Sequence, residues 1–393
     1  MRVVYLSKVN VSARLPAVAF SLFNAHALAQ AGADAFLLAQ EGPSQADPAS
    51  LLAANGLQDL DNFHLSLFDQ LKLPGVSSNQ LFYAWALKRI LGAHKLRKID
   101  ACISRDPGAL PYLAYLTAGY GIATFYQPHN FYVDLRIRPD VARTNRWKYH
   151  FLERTFIRRI TGLLCLQEPQ ADLFRRYFPN KPVLATPPGL RSLQFVEPRK
   201  LFENRSVIYV GSFQAKKGVE MLVRAVASLN HSEIRLKLIG GRSEAEMAYL
   251  RALVAESDLF SVTETRAWLD HGRLGGEMAG ASVGVLPLSD SFYNRYLTAP
   301  SKLFDYLSSG LPIIASDLPS IRAFLRHGRG CLLVPPGNVQ ALAAAMGRLL
   351  GSWELFEQQA RLARRAAVSY QWRAQAGRML EAMERTARTR EYP

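Results

Sequence analysis

The chain has 393 residues, 49% of them hydrophobic, and a formal charge of +16. That is room for two domains, each with a packed core. The basic excess is spread, with 21 basic and 13 acidic residues up to residue 187, which excludes a single basic tail and suits phosphate-bearing ligands, an anionic membrane face or nucleic acid.

No aromatic-basic RNA motif or zinc spacing accompanies that charge, so nucleic acid is the weakest of the three. Cys102, Cys165 and Cys331 each sit in an apolar run and read as buried thiols of a reduced cytosol, not as a disulfide framework. Residues 3–6 form a first strand and not a signal peptide. A helix follows at about 17–31. The longest uncharged stretch, 15–33, contains Pro16, Asn24, His26, Gln30 and Gly32, so it is amphipathic and not a membrane span. A strand at 35–39 leads into residues 42–80, rich in Pro, Ser, Asp and Asn and read as irregular.

A basic helix then carries Lys88, Arg89, Lys95, Arg97 and Lys98. Strands at 101–104 and 123–127 flank a helix at 111–118. The densest basic run follows: Arg136, Arg138, Arg143, Arg146, Lys148, Arg154, Arg158 and Arg159, interleaved with Trp147, Tyr149 and Phe151. It is either a solvated helix face or a contact for an anionic membrane or lipid diphosphate, where each basic residue contributes about 1 kcal/mol. Strands at 163–166 and 183–185 close the first half, and the three prolines of 187–206 read as a linker. A second series follows: strand 207–211, helix 219–229, and strands 236–239, 283–286, 313–315 and 331–334. An Ala-rich helix and a last helix at about 372–388 complete it. Strands alternating with helices predict parallel α/β domains.

The segment Arg-Tyr-Leu-Thr-Ala-Pro-Ser-Lys-Leu-Phe-Asp-Tyr-Leu-Ser-Ser-Gly-Leu-Pro, from Arg295 to Pro312, is the most informative. Thr298 reads as an N-cap, Pro300 as a first-turn residue, and Gly310 as the C-terminal cap. Leu303, Phe304 and Leu307 share one face and should be buried. N–H groups from Ala299, Ser301 and Lys302 would then form an anion site with the helix dipole and the Lys302 charge. Asp305, one turn on, could accept from two vicinal hydroxyls. The same residues also fit an ordinary amphipathic helix with a solvated Lys–Asp pair.

This stretch resembles the donor-site signature of family 4 glycosyltransferases, in the branch written roughly Pro-x-Lys-Leu-Phe-Glu-Tyr-x-x-x-Gly-x-Pro. Asp305 stands at that signature's second Glu, and Leu297 at its first. Other segments resemble the family in order: Ala185-Thr-Pro-Pro-Gly-Leu, Tyr209-Val-Gly-Ser-Phe-Gln-Ala-Lys-Lys-Gly-Val, Ile239-Gly-Gly-Arg, Pro335-Pro-Gly-Asn and Ser369-Tyr-Gln-Trp. The resemblance implies the GT-B fold, two Rossmann-like domains facing each other across a cleft. The acceptor-side domain would span 1–187, with a C-terminal helix at 370–390 packing back on it. The nucleotide-sugar domain would span 205–367.

It further implies retaining, metal-independent transfer of a sugar from a nucleoside-diphosphate donor to a glycan or lipid-linked glycan acceptor, as in polysaccharide biosynthesis. The leaving phosphate would take the acceptor's proton. By resemblance His129 touches the donor sugar, Lys217 approaches the diphosphate and Lys302 adds charge. Gly211, Ser212, Thr298, Ala299, Pro300, Ser301 and Asp305 contact the nucleotide. Ser212 stands where the family has an Arg, a gap that Lys216 or Lys302 would fill. Gln127 replaces a common Glu. The loop after the first strand, Ser7-Lys-Val-Asn-Val-Ser-Ala-Arg, has no glycine, which leaves Lys8 and Arg14 to shape that edge. Arg105 and Asp106 point to the same rim. Asp59-Leu-Asp61 matches a short metal-binding pattern of a different fold and is set aside. No cofactor or metal is expected, and the expected location is the cytoplasm, at the inner face of the cell membrane. Two rivals remain: a GT-B scaffold that binds without transferring, favoured by Leu297 and Ser212, and a GT-B sugar-nucleotide epimerase, whose paired acidic residues and histidines cannot be assembled here.

Overall fold

The computed structural model describes residues 1–11, 16–41, 47–69, 75, 77–142, 144–214, 217–229, 234–241, 243–269 and 271–391. It divides into two compact units: Met1–Gly189 with Trp372–Pro393, and Leu190–Gln371. Each is a Rossmann-like α/β layer built on a parallel sheet.

Among the described residues, unit 1 has strands β1 (Arg2–Asn10), β2 (Asp34–Gln40), β3 (Phe63–Phe68), β4 (Ala101–Ser104), β5 (Ala123–Tyr126), β6 (Gly162–Cys165) and β7 (Val183–Ala185). Their order is β3-β2-β1-β4-β5-β6-β7, all parallel. β4, β5 and β6 are buried along their whole length, as strands covered on both faces must be. β3 and the helix Pro48–Ala54 lie within the stretch read as irregular. β3 is an edge strand with His64 exposed, so its sequence lacks the continuous apolar run of a central strand.

The helix Trp372–Glu391 belongs to unit 1. Its Ala376, Met379, Leu380 and Met383 share a core with Leu22, Ala25 and Ala29 of the helix Pro16–Gln30. Phe20 meets Trp372 edge-on at 5.6 Å. Gly189 makes this possible, since a Cβ there would lie 2.4 Å from the Trp372 backbone.

Unit 2 has β8 (Ser206–Val210), β9 (Arg235–Gly241), β10 (Thr263–Ala267), β11 (Val283–Leu286), β12 (Ile313–Ser316) and β13 (Cys331–Val334), in the order β10-β9-β8-β11-β12-β13. Residues 190–204, read as linker, are part of this unit. Phe202 packs against Trp353 and Phe356 at 5.5 and 5.1 Å, and Leu201 is fully buried. β10 escaped the sequence because it is an exposed edge, Thr-Glu-Thr-Arg-Ala.

In each sheet the strand order reverses once, between β1 and β4 and between β8 and β11. Ligands of open α/β sheets bind at the carboxyl ends of strands at such switch points. In unit 2 the split is built around one side chain. β8 and β11 pair only at Val207↔Val283 and Ile208↔Gly284. Beyond that, Tyr306 Oη accepts from the Val210 N–H at 3.0 Å and lies 3.3 and 3.4 Å from the carbonyls of Ile208 and Val285. Gly284 admits the ring, since a Cβ there would sit 2.5 Å from it.

Tyr306→Phe should therefore orphan the buried Val210 N–H and cost about 1–3 kcal/mol. We expect a lowered thermal midpoint, with Gly284→Ala lowering it too. An unchanged midpoint in Tyr306→Phe would remove this role for the hydroxyl.

Candidate functional site

At the unit 2 switch point, two segments leave adjacent strand ends. The first, residues 211–218, follows β8. Gly211 has φ +157 and donates its N–H to the Ile239 carbonyl at 2.9 Å. The carbonyl of Ser212 accepts from Tyr209 Oη at 2.7 Å. Lys217 donates its N–H to the Gln214 carbonyl at 2.8 Å, and Gly218 (φ +72) starts the helix Val219–Ala227. A Cβ on Gly218 would lie 1.7 Å from the Pro287 carbonyl after β11, so only glycine allows this turn to reach the β11 end.

The second segment carries the helix Ser301–Ser309, which Tyr306 pins to the strand split. Here the capping expectation needs correction. Pro300 is the N-cap, with ψ 111, and the helix begins at Ser301. Thr298 is buried, and its N–H is held by the Tyr293 carbonyl at 2.9 Å, because the short helix Phe292–Tyr296 ends there. Ala299 and Pro300 thus precede the helix, and its leading N–H groups belong to Ser301 and Lys302. Gly310 caps the far end at φ +72, as expected. Lys302 Nζ lies 3.0 Å from Asp305 Oδ2, both side chains mostly buried. The Lys–Asp pair therefore exists, as a shielded pair. Leu297 is 1% exposed: the position where the signature has an acid is a core contact here. Arg191, which the sequence reading missed, also feels Asp305; burial pulls its guanidinium down to about 10 while Asp305 opposes this.

In unit 1, the switch-point edge gathers Lys8, Arg105, Asp106 and His129. The β1–β2 register shifts between Ser7 and Asn10, a bulge that re-aims Lys8. Lys8 Nζ is 2.9 Å from Asp106 Oδ2. Asp106 also accepts from Tyr83 Oη and, at 3.0 Å, from the Gly108 N–H. The Arg105 guanidinium stacks on Phe20 at 3.8 Å. His129 is solvent-exposed, yet protein atoms crowd one side of it, and that desolvation, with the charges of Arg105 and Lys8, lowers its pKa. Asp106 and a hydrogen bond with the Arg105 backbone oppose the shift, and the net direction leaves the ring neutral at pH 7. Gln127 is a core residue: its Oε1 accepts from Tyr5 Oη at 2.7 Å and from Asn24 Nδ2 at 3.3 Å. A neutral amide suits that burial better than the Glu it replaces. Arg14, Arg143 and Lys216 lie outside the described residues. Asp59 and Asp61 are exposed, before β3.

The loop bearing His129 is fastened from below. Glu153, fully buried, accepts from the Tyr132 N–H at 2.7 Å and lies 3.0 Å from Tyr126 Oη. Arg138, expected on a basic surface, is 2% exposed. It pairs with Asp140 at 2.7 Å and donates to Asn130 Oδ1 and the Phe131 carbonyl. Arg136 pairs with Asp134 at 2.8 Å. The run is therefore not one cationic surface, because part of it closes this loop.

Two family profiles match the chain: "Glycosyl transferases group 1" over residues 204–352 and "Glycosyl transferase 4-like domain" over 23–189. An MMP alpha-(1->4)-mannosyltransferase of Mycolicibacterium hassiacum is 27% identical over 252 residues, 61% of this chain and 58% of that protein. The chain spans little more than half the length of the curated relatives it matches, or less. Among solved structures, sucrose-phosphate synthase from Thermosynechococcus elongatus aligns with a TM-score of 0.74 at 18% identity, covering 99% of this chain and 100% of that one. HepE of Anabaena, solved in complex with UDP, gives 0.70 at 14% identity, covering 98% and 100%. These likenesses agree on the GT-B fold.

Burial pushes the Glu153 carboxyl up to about 8, against the Tyr132 N–H, Tyr126 and the Arg138 charge. The folded protein therefore holds a proton that the unfolded chain releases near pH 4.5, so Glu153 costs stability progressively between those values. The thermal midpoint of wild type should fall relative to Glu153→Gln as pH rises from 4.5 to 8. A constant difference across that window would contradict it.

Proposed function

The chain belongs to the group 1 glycosyltransferases, and on that premise we propose that it moves a sugar from a nucleoside-diphosphate donor to a glycan or lipid-linked glycan acceptor, with retention at the anomeric carbon. The observation that carries this reading is the helix Ser301–Ser309, which starts at a switch point and brings Lys302 and Asp305 there. HepE, a protein of the same fold, was solved in complex with UDP, which supports a nucleotide-bearing ligand. As the bond between C1 and the phosphate oxygen breaks, the leaving diphosphate gains charge. Lys302, Lys217 and the first helical N–H groups would stabilise it; one such preorganised donor is worth about 3–4 kcal/mol. The acceptor oxygen bonds to C1 and its proton passes to the departing phosphate, so no protein base and no metal is required. Asp305 would accept from the ribose hydroxyls while holding Lys302. His129, neutral, is offered on the switch-point edge of unit 1 as a hydrogen-bonding group for a sugar hydroxyl.

A scaffold that binds without transferring is favoured by the buried Leu297 and by Ser212 in place of a cation. Turnover decides between them. Lys217→Ala and Lys302→Ala should each lower transfer at least ~100-fold, and EDTA should leave the wild type active. Loss of activity in EDTA, restored by magnesium or manganese, would overturn the metal-free mechanism.

We also propose peripheral binding of unit 1 to anionic membranes. No helix among the described residues is long and apolar enough to cross one. On the helix Arg146–Phe156, Trp147 and Phe151 are 64% and 61% exposed, with Arg154 on the same stripe and Lys148 and Arg158 exposed beside it. Aromatic anchors with flanking cations suit an interface. Leu96, exposed among Lys95, Arg97 and Lys98, lies at the opposite, strand-start edge, where Arg2 binds the Arg97 carbonyl at 2.9 Å. It is a separate patch. Liposome co-sedimentation should rise with anionic lipid, fall from 0.1 to 1 M salt as the Debye length shortens from about 10 to about 3 Å, and weaken in Trp147→Ala/Phe151→Ala. Equal binding to neutral and anionic liposomes at low salt would refute it.

A further inference from the structure

The two edges of the unit 2 sheet are finished differently. At β13 the outer backbone is occupied from within the chain: the Leu333 N–H goes to His327 Nδ1 at 3.0 Å, and the Cys331 carbonyl takes the Gly328 N–H at 2.8 Å. β10 lies at the other edge. Among the described residues it pairs only with β9. The Trp268 N–H donates to the Gly241 carbonyl of β9 at 3.0 Å. Backbone groups of successive strand residues point to opposite sides. Thr263, Thr265 and Ala267 therefore turn their N–H and C=O groups away from the sheet.

The side chains follow the same alternation. Glu264 and Arg266 share one face of β10, and both are about half exposed. Glu277 holds Arg266 Nη1 at 3.1 Å, while Nη2 reaches Glu264 only at 3.7 Å. An edge strand that must avoid its own copy carries charge that repels it. Here the two signs alternate, which makes the edge self-complementary. When two copies of β10 run antiparallel with Thr265 facing Thr265, Glu264 of each lies opposite Arg266 of the other. These are the positions without ladder hydrogen bonds, where opposed side chains come closest. Thr265 with its copy, and Thr263 with Ala267 in both directions, form the hydrogen-bonded pairs. The same register brings Trp268 of one copy beside Val262 of the other and toward Phe260. Both aromatics are exposed, Phe260 by 80%.

We propose that β10 is an interface between two copies of this chain. The strands join antiparallel about Thr265, reciprocal Glu264–Arg266 ion pairs fix the register, and Phe260 and Trp268 cover the two ends. β10 stands two strands away from β8 and the split beside it, so the pairing needs nothing of the donor chemistry.

Sedimentation velocity of the full chain, loaded at ~1 to ~200 µM, should show a reversible dimer with a Kd at or below about 100 µM. Thr265→Pro removes one outward N–H and no bond to β9, and should raise that Kd at least ~10-fold. Its thermal midpoint, read in parallel, controls for folding. Glu264→Lys and Arg266→Glu each set like charges opposite one another twice, and each should raise the Kd at least ~10-fold. An equimolar mixture of these two variants should dimerise as wild type does, because each supplies the sign the other lacks. Arg266→Glu also takes a partner from Glu277, but a folding defect cannot produce recovery on mixing. A wild type monomeric throughout the range would overturn the proposal. So would a dimer that neither Thr265→Pro nor the charge variants weaken, or a mixture that fails to recover where the single variants lose association.

Discussion

One hydroxyl governs the geometry of unit 2. Parallel strands that diverge leave backbone groups without partners, and a buried orphan N–H is costly. Tyr306 Oη takes the place of the missing strand neighbour at Val210 while facing the carbonyls of Ile208 and Val285. The opening between β8 and β11 is thereby made stable, not merely tolerated. The same residue belongs to the helix that carries Lys302 and Asp305, so strand separation and this ion pair are fixed by one rigid connection. Gly284 and Gly218 are the steric conditions for it: one admits the ring, the other lets the Lys217 turn close on the Pro287 carbonyl.

Unit 1 solves its own problem with buried polar groups. Its loop from Gln127 to Asp140 has little regular structure, and its backbone groups still need partners. Glu153, Gln170 and Arg138 supply them from beneath: Tyr132 N–H to Glu153, the Pro128 carbonyl from Gln170 at 3.0 Å, the Phe131 carbonyl from Arg138. His129 is presented by a loop whose supports are side chains. Positioning of this kind is specific but sensitive to charge, since each support sits where water cannot compensate for a change.

The central strands and the two-unit plan were readable because buried parallel strands announce themselves as short apolar runs between helical stretches. Strands 101–104 and 283–286 coincide with β4 and β11 for that reason. The edge strands β3 and β10 were invisible, as one-sided exposure gives them polar compositions typical of loops. The segment 295–312 was legible in its cap at Gly310 and its buried face, but not in its start. Thr298 has good capping chemistry and is instead claimed by the end of a five-residue helix that no periodicity revealed. The basic run misled for a related reason. Sequence counts charges but not directions, and Arg138 turns inward to bind Asp140 and Asn130. The bulge that brings Lys8 to Asp106 left no mark at all, because a bulge is a property of pairing between strands distant in the chain.

The helix Trp372–Glu391 has a consequence for how the protein is made. Unit 2 is one uninterrupted segment, and its first and last residues are tied together, with the Leu190 N–H on the Tyr370 carbonyl at 2.7 Å. Unit 1 is discontinuous: the surface formed by Leu22, Ala25 and Ala29 stays uncovered until Met379 and Met383 have been synthesised. On the ribosome, therefore, the segment made second can finish folding first, while the earlier one waits with an apolar flank open to water and to chaperones. A stalled or prematurely terminated message would release a product with a sound second half and an adhesive first one.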